Sequence, residues 1–343
     1  MTRLRLVHVG LGLWGRDWAQ IVPRARGYEL VGVVDSKPQA RRWAERALAV
    51  PARRTLAAAL RHERPDVVLL VSPPDTHRPL AEQALEHGAH VIVEKPLAST
   101  MEDARALAEA AAGAGRHVVV AQNYRFRRQP VALQRLAGDG TLGNLLGVQI
   151  QFHWDMRGKW ITRGDWRGRM AHPLLVDMAI HHVDLLRAIT GREVASVDAR
   201  AWPVPDGPFV HEPVVSALLD LEDGVPVAYR GSWVGPEPNT SWNGDWELVG
   251  SRARALWVGG LADALQGRVL LERYGGRPAR VPLPRLPAVD REGVLADLRR
   301  AIATGAPPQA TAADNLHTLA AVFALARSVE QRQAVRVDDV LRR

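Results

Sequence analysis

The chain contains no cysteine. Disulfides, thiolate nucleophiles and cysteine-ligated zinc are excluded, and a reducing compartment fits. No metal is expected. Lysine is almost absent: of 45 Lys and Arg residues, only Lys37, Lys95 and Lys159 are lysines. No apolar run approaches a membrane span. The opening Thr2-Arg3-Leu4-Arg5-Leu6-Val7 has the charged-then-apolar look of a leader, but the run breaks at Gly10 and no small-residue cleavage site follows. A cytoplasmic protein without a membrane partner is expected. The formal charge is +8, yet the arginines are scattered and no basic block marks a nucleic-acid tail. A general attraction to anionic ligands is all that the charge implies.

What is present is a globular composition, 47% hydrophobic and 24% charged, over 343 residues, which is too long for one ordinary core. Two domains are expected, residues 1–123 and 124–343. The first alternates strand and helix, the pattern of a doubly wound parallel sheet. Leu4–Val9 reads as a strand. It runs into Gly10-Leu11-Gly12-Leu13-Trp14-Gly15 and then a helix, which is the G-x-G-x-x-G signature in its required context. Gly10 permits the tight turn, Gly12 admits a pyrophosphate to the backbone, and Gly15 lets helix and strand pack closely. The second strand ends at Asp35, twenty residues after Gly15, where such folds place the acceptor of the adenosine-ribose hydroxyls. A carboxylate there favours NAD, whereas Ser36, Lys37, Arg41 and Arg42 keep NADP open as the alternative.

Further strands end at Ser72-Pro73-Pro74-Asp75-Thr76-His77 and at Glu94-Lys95-Pro96. Ligands of parallel sheets bind beyond the carboxyl ends of the strands. An amine can give up its proton when partly desolvated and a guanidinium cannot, so a lysine retained at a strand end points to chemistry. The strand-end loops make Gly10, Gly12, Leu13, Trp14, Gly15, Asp35, Ser36, Ser72, Pro73, Pro74, His77, Glu94 and Lys95 the candidate cofactor contacts. For His77, local packing at a helix start is the competing reading.

After Asn123 the pattern changes. Tyr124 and Arg125 leave the last strand, and Arg157–His172 is a long polar loop carrying Trp160, Arg163 and Trp166; loops of this length are commonly functional. Either tryptophan could stack on a sugar or plug a core. A single helix is predicted from Leu174 to Ile189, with Asp177, His181 and Asp184 on one face at i, i+4 and i+7, and His182 off it. Strands then dominate: Val194–Trp202, Pro213–Leu221, Val225–Val234, Trp242–Gly250, Ala253–Trp257 and one near Val269. Glu222-Asp223-Gly224 is a hairpin turn. Helices Arg291–Ala303 and Ala313–Gln331 close the chain. The expected second domain is α+β with a large, mostly antiparallel open sheet. Trp233 and Trp257 on its uncovered face would favour a dimer or tetramer.

Taken together, Gly10-x-Gly12-x-x-Gly15, Glu94-Lys95-Pro96, Asp177-x-x-x-His181-x-x-Asp184 and the closing Thr311-Ala-Ala-Asp314-Asn-Leu-His-Thr-Leu resemble the Gfo/Idh/MocA family, named for glucose–fructose oxidoreductase and inositol dehydrogenase. The resemblance runs nearly end to end. It implies a Rossmann domain followed by a substrate and oligomerisation domain, and a hydride transfer between NAD(P) and a hydroxyl carbon of a sugar, cyclitol or derivative. It also implies a catalytic set of Lys95, Asp177 and His181; the candidate substrate contacts are Tyr124, Arg125, Trp160, Arg163, Trp166, Asp177 and His181. Ala179 stands where the family often has glycine, and Ala171-His172-Pro173 replaces its usual glycine run, so the substrate is not inherited. An NAD-dependent glycosidase that transiently oxidises its sugar is the alternative enzyme, and a non-catalytic dinucleotide-binding sensor is the alternative outside catalysis.

Overall fold

The computed structural model describes residues 2–158, 161, 166–205, 207–259 and 266–342. The chain divides into two compact units, Met1–Phe126 with Pro287–Leu316, and Arg127–Leu286 with His317–Arg343.

The first unit is built on strands β1 (Leu4–Val9), β2 (Tyr28–Val34), β3 (Ala52–Arg53), β4 (Val67–Leu70), β5 (His90–Val93) and β6 (Val118–Val120). They lie in the order β3-β2-β1-β4-β5-β6, and every pair is parallel. Parallel pairs need crossovers, which helices α1 (Leu13–Ile21), α2 (Pro38–Leu48), α3 (Leu56–Glu63), α4 (His77–Glu86) and α5 (Met101–Ala114) supply. The strands are runs of Val, Leu and Ile because both sheet faces are covered; β4 and β6 are buried throughout. The helix ends are written locally. Thr100 caps α5 by accepting from the Asp103 N–H while its hydroxyl donates to the Asp103 carboxylate, and Gly115 ends the helix in the left-handed region.

One segment departs from the expected boundary at residue 123. Helix α9 (Asp290–Thr304) packs in the first unit, where Val294, Leu295 and Leu298 share a core with Leu6, Trp18, Leu69 and Ile92. The buried Tyr28 hydroxyl donates to the Leu295 carbonyl at 2.7 Å, and the Val120 N–H donates to the Ala310 carbonyl at 2.8 Å. The cause is apolar: α9 has a face with no mate among its sequence neighbours, and the sheet of the first unit buries it.

The second unit holds helix α6 (Arg128–Gly138), strand β7 (Leu145–His153), the short helix α7 (Trp166–Arg169), a π-helical turn at Leu175–Ala179 and helix α8 (Ile180–Thr190). Strands β8 (Val194–Trp202), β9 (Val214–Leu221), β10 (Pro226–Ser232), β11 (Asp245–Gly250), β12 (Ala253–Val258), β13 (Arg268–Arg273) and β14 (Ala279–Arg280) follow. Helix α10 (Ala312–Gln331), strand β15 (Val335–Arg336) and helix α11 (Asp338–Leu341) end the chain. The nine strands form one sheet, β14-β13-β12-β11-β7-β10-β9-β8-β15. Every pair is antiparallel except β7 with β10, so the sheet is mostly antiparallel, as the strand spacing suggests. Gly224, at φ +82°, makes the turn between β9 and β10.

Alternation along the strands separates two faces. In β9, Val215, Ala217, Leu219 and Leu221 are buried, whereas Leu218 and Asp220 are exposed. Trp233 and Trp257 fall on the covered side, contrary to expectation, at 3% and 0% exposed. Trp257 also donates its indole N–H to the Gln266 carbonyl, a bond that a buried ring needs. The other face carries Asp198, Leu218, Ala228 and Gln149 in one register row.

Two buried histidines make stability depend on pH. Burial lowers His8 to about 4 and His182 to about 3, from 6.5. Both are neutral in the folded chain, and both take up a proton below 6.5 once unfolded. Their contribution is complete above pH 6.5 and is lost as pH falls toward the folded values, at about 1.4 kcal/mol per unit per proton. Thermal melts from pH 7.5 down to about 4.5 should show a steep fall in Tm, each histidine removing roughly 2.5 kcal/mol. His8→Gln, which keeps an N–H donor, should flatten the fall; an unchanged slope would exclude His8 as a source.

Candidate active site

The glycine turn between β1 and α1 is built as the motif requires. Gly10 has φ +92°, and a Cβ there would lie 2.4 Å from the Val71 carbonyl oxygen. A Cβ on Gly15 would lie 2.1 Å from the Gly10 carbonyl oxygen, so only glycine lets the helix start this close. At Gly12 an added Cβ would meet nothing within 4 Å, and α1 has no side-chain cap. The turn thus offers open backbone and unclaimed helix amides to a pyrophosphate. Leu13 and Trp14, the first helical residues, are exposed beside it. Beneath it, the buried His8 ring places Nε2 2.7 Å from the Gly10 carbonyl oxygen. A neutral imidazole donates there, which sequence reasoning did not foresee.

Asp35 is part of the same turn. Its Oδ2 accepts from the Leu11 N–H and its Oδ1 from the Lys37 N–H, both at 2.8 Å. The carboxylate is therefore fixed at the end of β2, and each oxygen keeps a lone pair for a ribose hydroxyl. Arg41 donates to the Asp35 and Ser36 carbonyls, so one of the cations that left NADP open is engaged in holding the turn. Ser36 and Lys37 are exposed beside it.

The next strand ends form a second cluster. The Ser72 hydroxyl lies 2.7 Å from Thr76 Oγ1, and the Thr76 hydroxyl donates to the Pro73 carbonyl, which shapes the loop Pro73 and Pro74 belong to. His77 is fully buried. Its Nε2 lies 2.9 Å from the Ser72 carbonyl oxygen, and its Nδ1 3.1 and 3.2 Å from those of Pro96 and Leu97. Burial lowers its pKa, with those carbonyls opposing. His77 is thus a post between two loops rather than a cofactor contact, because no edge of its ring reaches the surface. Glu94 and Lys95 are half-buried at the end of β5. Glu94 Oε1 accepts from the Trp18 indole N–H at 2.7 Å, and Oε2 from the Lys95 backbone N–H at 3.0 Å.

Of the residues expected to face substrate, Tyr124 and Arg125 are buried in the first unit. Arg125 pairs with Asp314 at 2.8 Å and donates to the Gln309 carbonyl, so its fork is spent on holding the chain. That corrects a reading based on its place at the end of the last strand.

In the second unit the expected single helix starts instead as a π turn, whose last bond runs from the Ile180 N–H to the Leu175 carbonyl. The wider turn interrupts the i, i+4 register between Asp177 and His181. Asp177 is half-buried, 3.5 Å from the Arg167 guanidinium, which itself lies 4.4 Å over the exposed Trp166 ring. His181 is buried in the first turn of α8. Asp184 faces inward too: its Oδ1 accepts from the Thr318 hydroxyl, which accepts from Arg187. The three residues do not share one open face. His182 is structural, with Nδ1 3.1 Å from the Tyr229 hydroxyl among Phe152, Tyr229 and Trp246. Arg167 is a neighbour of Asp177 that nothing in the composition of its loop singles out. Trp160 and Arg163 lie outside the described residues.

Two matches to known families cover most of the chain. Residues 4–122 match the oxidoreductase family with an NAD-binding Rossmann fold, and residues 131–256 match the GFO/IDH/MocA C-terminal domain. D-Apiose dehydrogenase of Paraburkholderia graminis is 27% identical over 98% of this chain and 90% of its own. Myo-inositol 2-dehydrogenase of Thermotoga maritima is 24% identical over 80% of this chain and 81% of its own. An oxidoreductase from Agrobacterium radiobacter, solved with NAD+, L-tartaric acid and magnesium, superposes with a TM-score of 0.85 at 20% identity, over 98% of this chain and 99% of that one. The glycine turn, the strand-end Glu94-Lys95-Pro96 and both domain matches place the chain in the Gfo/Idh/MocA family of oxidoreductases, with an NAD-binding Rossmann domain at its N-terminal end.

Proposed function

We propose that the protein transfers a hydride between NAD and a hydroxyl carbon of a sugar, a cyclitol or a close derivative. The observation that carries this is Lys95. It is one of three lysines in the chain, it stands at the end of a buried parallel strand, and its own backbone is tied to the helix that opens the dinucleotide turn. Gly10, Gly12, Leu13, Trp14, Gly15 and Asp35 would hold the cofactor, and Ser36, Ser72, Pro73 and Pro74 would border it. When bound, NAD supplies the hydride acceptor and the redox chemistry.

The side chains have the remaining tasks. Oxidation of an alcohol releases a proton as well as a hydride. The His181 imidazole takes that proton, since its ordinary pKa lies near neutrality. The Lys95 Nζ donates to the reacting oxygen and stabilises alkoxide charge as it develops. Asp177 holds a substrate hydroxyl and orients the base, with Arg167 beside it. Trp166, half exposed under that guanidinium, offers a face on which an apolar sugar face stacks. In the family set Lys95 belongs to the first unit, and Asp177 and His181 to the second. In the second unit the exposed Leu218 and Ala228, in one register row, support pairing of two copies through the open sheet.

The decisive experiment is NADH formation screened against neutral sugars, cyclitols and sugar acids, with nitrophenyl glycosides and catalytic NAD as the contrasting arm. Nitrophenol release without net NADH would replace this reading with the glycosidase. On the substrate that responds, Lys95→Ala should lower kcat by about a hundredfold or more while the NAD Kd stays within about twofold. Lys95→Arg should fail nearly as badly, the guanidinium being larger and planar.

Asp35 decides the cofactor. A 2′-phosphate adds nearly two negative charges against a carboxylate that two backbone amides keep in place. A penalty of about 1.4 kcal/mol is already tenfold, so kcat/KM should favour NAD over NADP by at least that factor. Asp35→Ser should narrow the ratio from both sides; a wild-type preference for NADP would remove Asp35 as the discriminator. Light scattering at micromolar concentration should report a dimer or tetramer, and a monomer there would end the sheet-pairing proposal.

A further inference from the structure

The Glu94 side chain bonds both the dinucleotide-turn helix and the Lys95 backbone. One carboxylate oxygen takes the indole N–H of Trp18, in the second turn of α1, and the other takes the Lys95 backbone N–H. The Glu94 backbone N–H donates to the Leu70 carbonyl of β4. Trp18 is fully buried, with the Arg291 guanidinium 5.6 Å from its ring centre, so it touches neither cofactor nor substrate. On the far side of the same turn, His77 stands against the Pro96 and Leu97 carbonyls.

We propose that Trp18 and Glu94 are positioning residues: the Trp18–Glu94 bond fixes the turn that presents the Lys95 amine, and it makes that placement depend on α1, the helix whose N-terminus receives the dinucleotide. The inference rests on the proposed role of Lys95 for its catalytic meaning, although the placement of the amine is measurable without it. A charge-assisted bond of this geometry is among the stronger single hydrogen bonds in a protein, and its donor is too deeply buried to be replaced by water. Glu94 was expected at the cofactor; its two bonds inside the unit give it a task at the turn as well.

The low lysine content makes the test direct. Acetic anhydride labels neutral amines, and peptide mass spectrometry can follow Lys37, Lys95 and Lys159 separately in one reaction. The rate is measured against pH for the full chain, for Trp18→Phe, which removes only the indole donor and part of the ring, and for Glu94→Gln, which keeps the volume but puts an N–H donor in place of one of the two accepting oxygens. Thermal melts establish that each variant is folded, and Glu94→Gln carries the test should Trp18→Phe fail to fold. The expected result is a change of about threefold or more at Lys95 in both variants, with Lys37 and Lys159 unchanged, as for loss of one bond to a charged acceptor. Superimposable Lys95 profiles in all three proteins would overturn the proposal. So would a rise at all three lysines, which would mark general loosening, and so would an effect of Glu94→Gln without one of Trp18→Phe, which would cut the link to α1. The reading of Lys95 as catalytic fails separately, when Lys95→Met keeps its turnover.

Discussion

The first sheet is parallel throughout and covered on both faces, and that constraint governs where chemistry can sit. A side chain along β4 or β6 points into a core, so it must be apolar. Polar groups have room only where strands stop, and crossovers return every chain end to the same edge. The glycine turn, Asp35, the Ser72 loop and Glu94-Lys95 are successive strand ends of one sheet. Across the edge they lie as Asp35, the glycine turn, the Ser72 loop and Glu94-Lys95, because the chain goes out from β1 to β2 and returns to β4, which puts β1 and β4 side by side at the switch point where ligands of such sheets bind.

Within this edge, buried polar groups are tied rather than free. His8, His77 and Glu94 each meet a main-chain group of a neighbouring loop. Leaving such groups without partners would cost on the order of 1–3 kcal/mol each. Their bonds exist only when the loops are in place, so the loops order one another. The same logic holds in the second unit, where Thr318 stands between Asp184 and Arg187, and Arg187 grips Glu193 with two bonds at 2.5 and 2.7 Å. An acidic helix face that looked like a site at one residue is an internal joint at another.

Local patterns were the legible part. The glycine turn, the strand ends, the β9–β10 hairpin and the mostly antiparallel sheet follow from periodicity and turn chemistry, which act over a few residues. What was hidden is non-local. Nothing in the sequence near α9 says that its apolar face belongs with β1 and β4, some 200 residues or more earlier. Trp233 and Trp257 look alike to a period-2 pattern whichever face is covered, since the pattern gives alternation and not which side is inside. The π turn at Leu175–Ala179 leaves the composition of a helix unchanged while shifting its register, which is why Asp177 and Asp184 part company. His77 was ambiguous because a histidine at a helix start is compatible with both a ligand and a post.

The arginine bias has a structural use that makes the lysine at β5 stand out further. Arg5 grips the Glu63 carbonyl with two nitrogens, Arg41 those of Asp35 and Ser36, Arg116 that of Gly88, Arg125 that of Gln309, and Arg300 that of Pro307. In each case the guanidinium donates to at least one backbone oxygen from a planar group of fixed geometry. A lysine in those places would offer a mobile point charge and lose the fixed geometry. The converse holds at the end of β5. A fork there would claim several acceptors at once, and it could not present one compact donor to one oxygen. The chain has kept an amine at the end of β5, where Glu94, Trp18 and His77 already hold the turn; in the catalytic reading proposed for Lys95, its task is a single hydrogen bond that strengthens as negative charge grows on its partner.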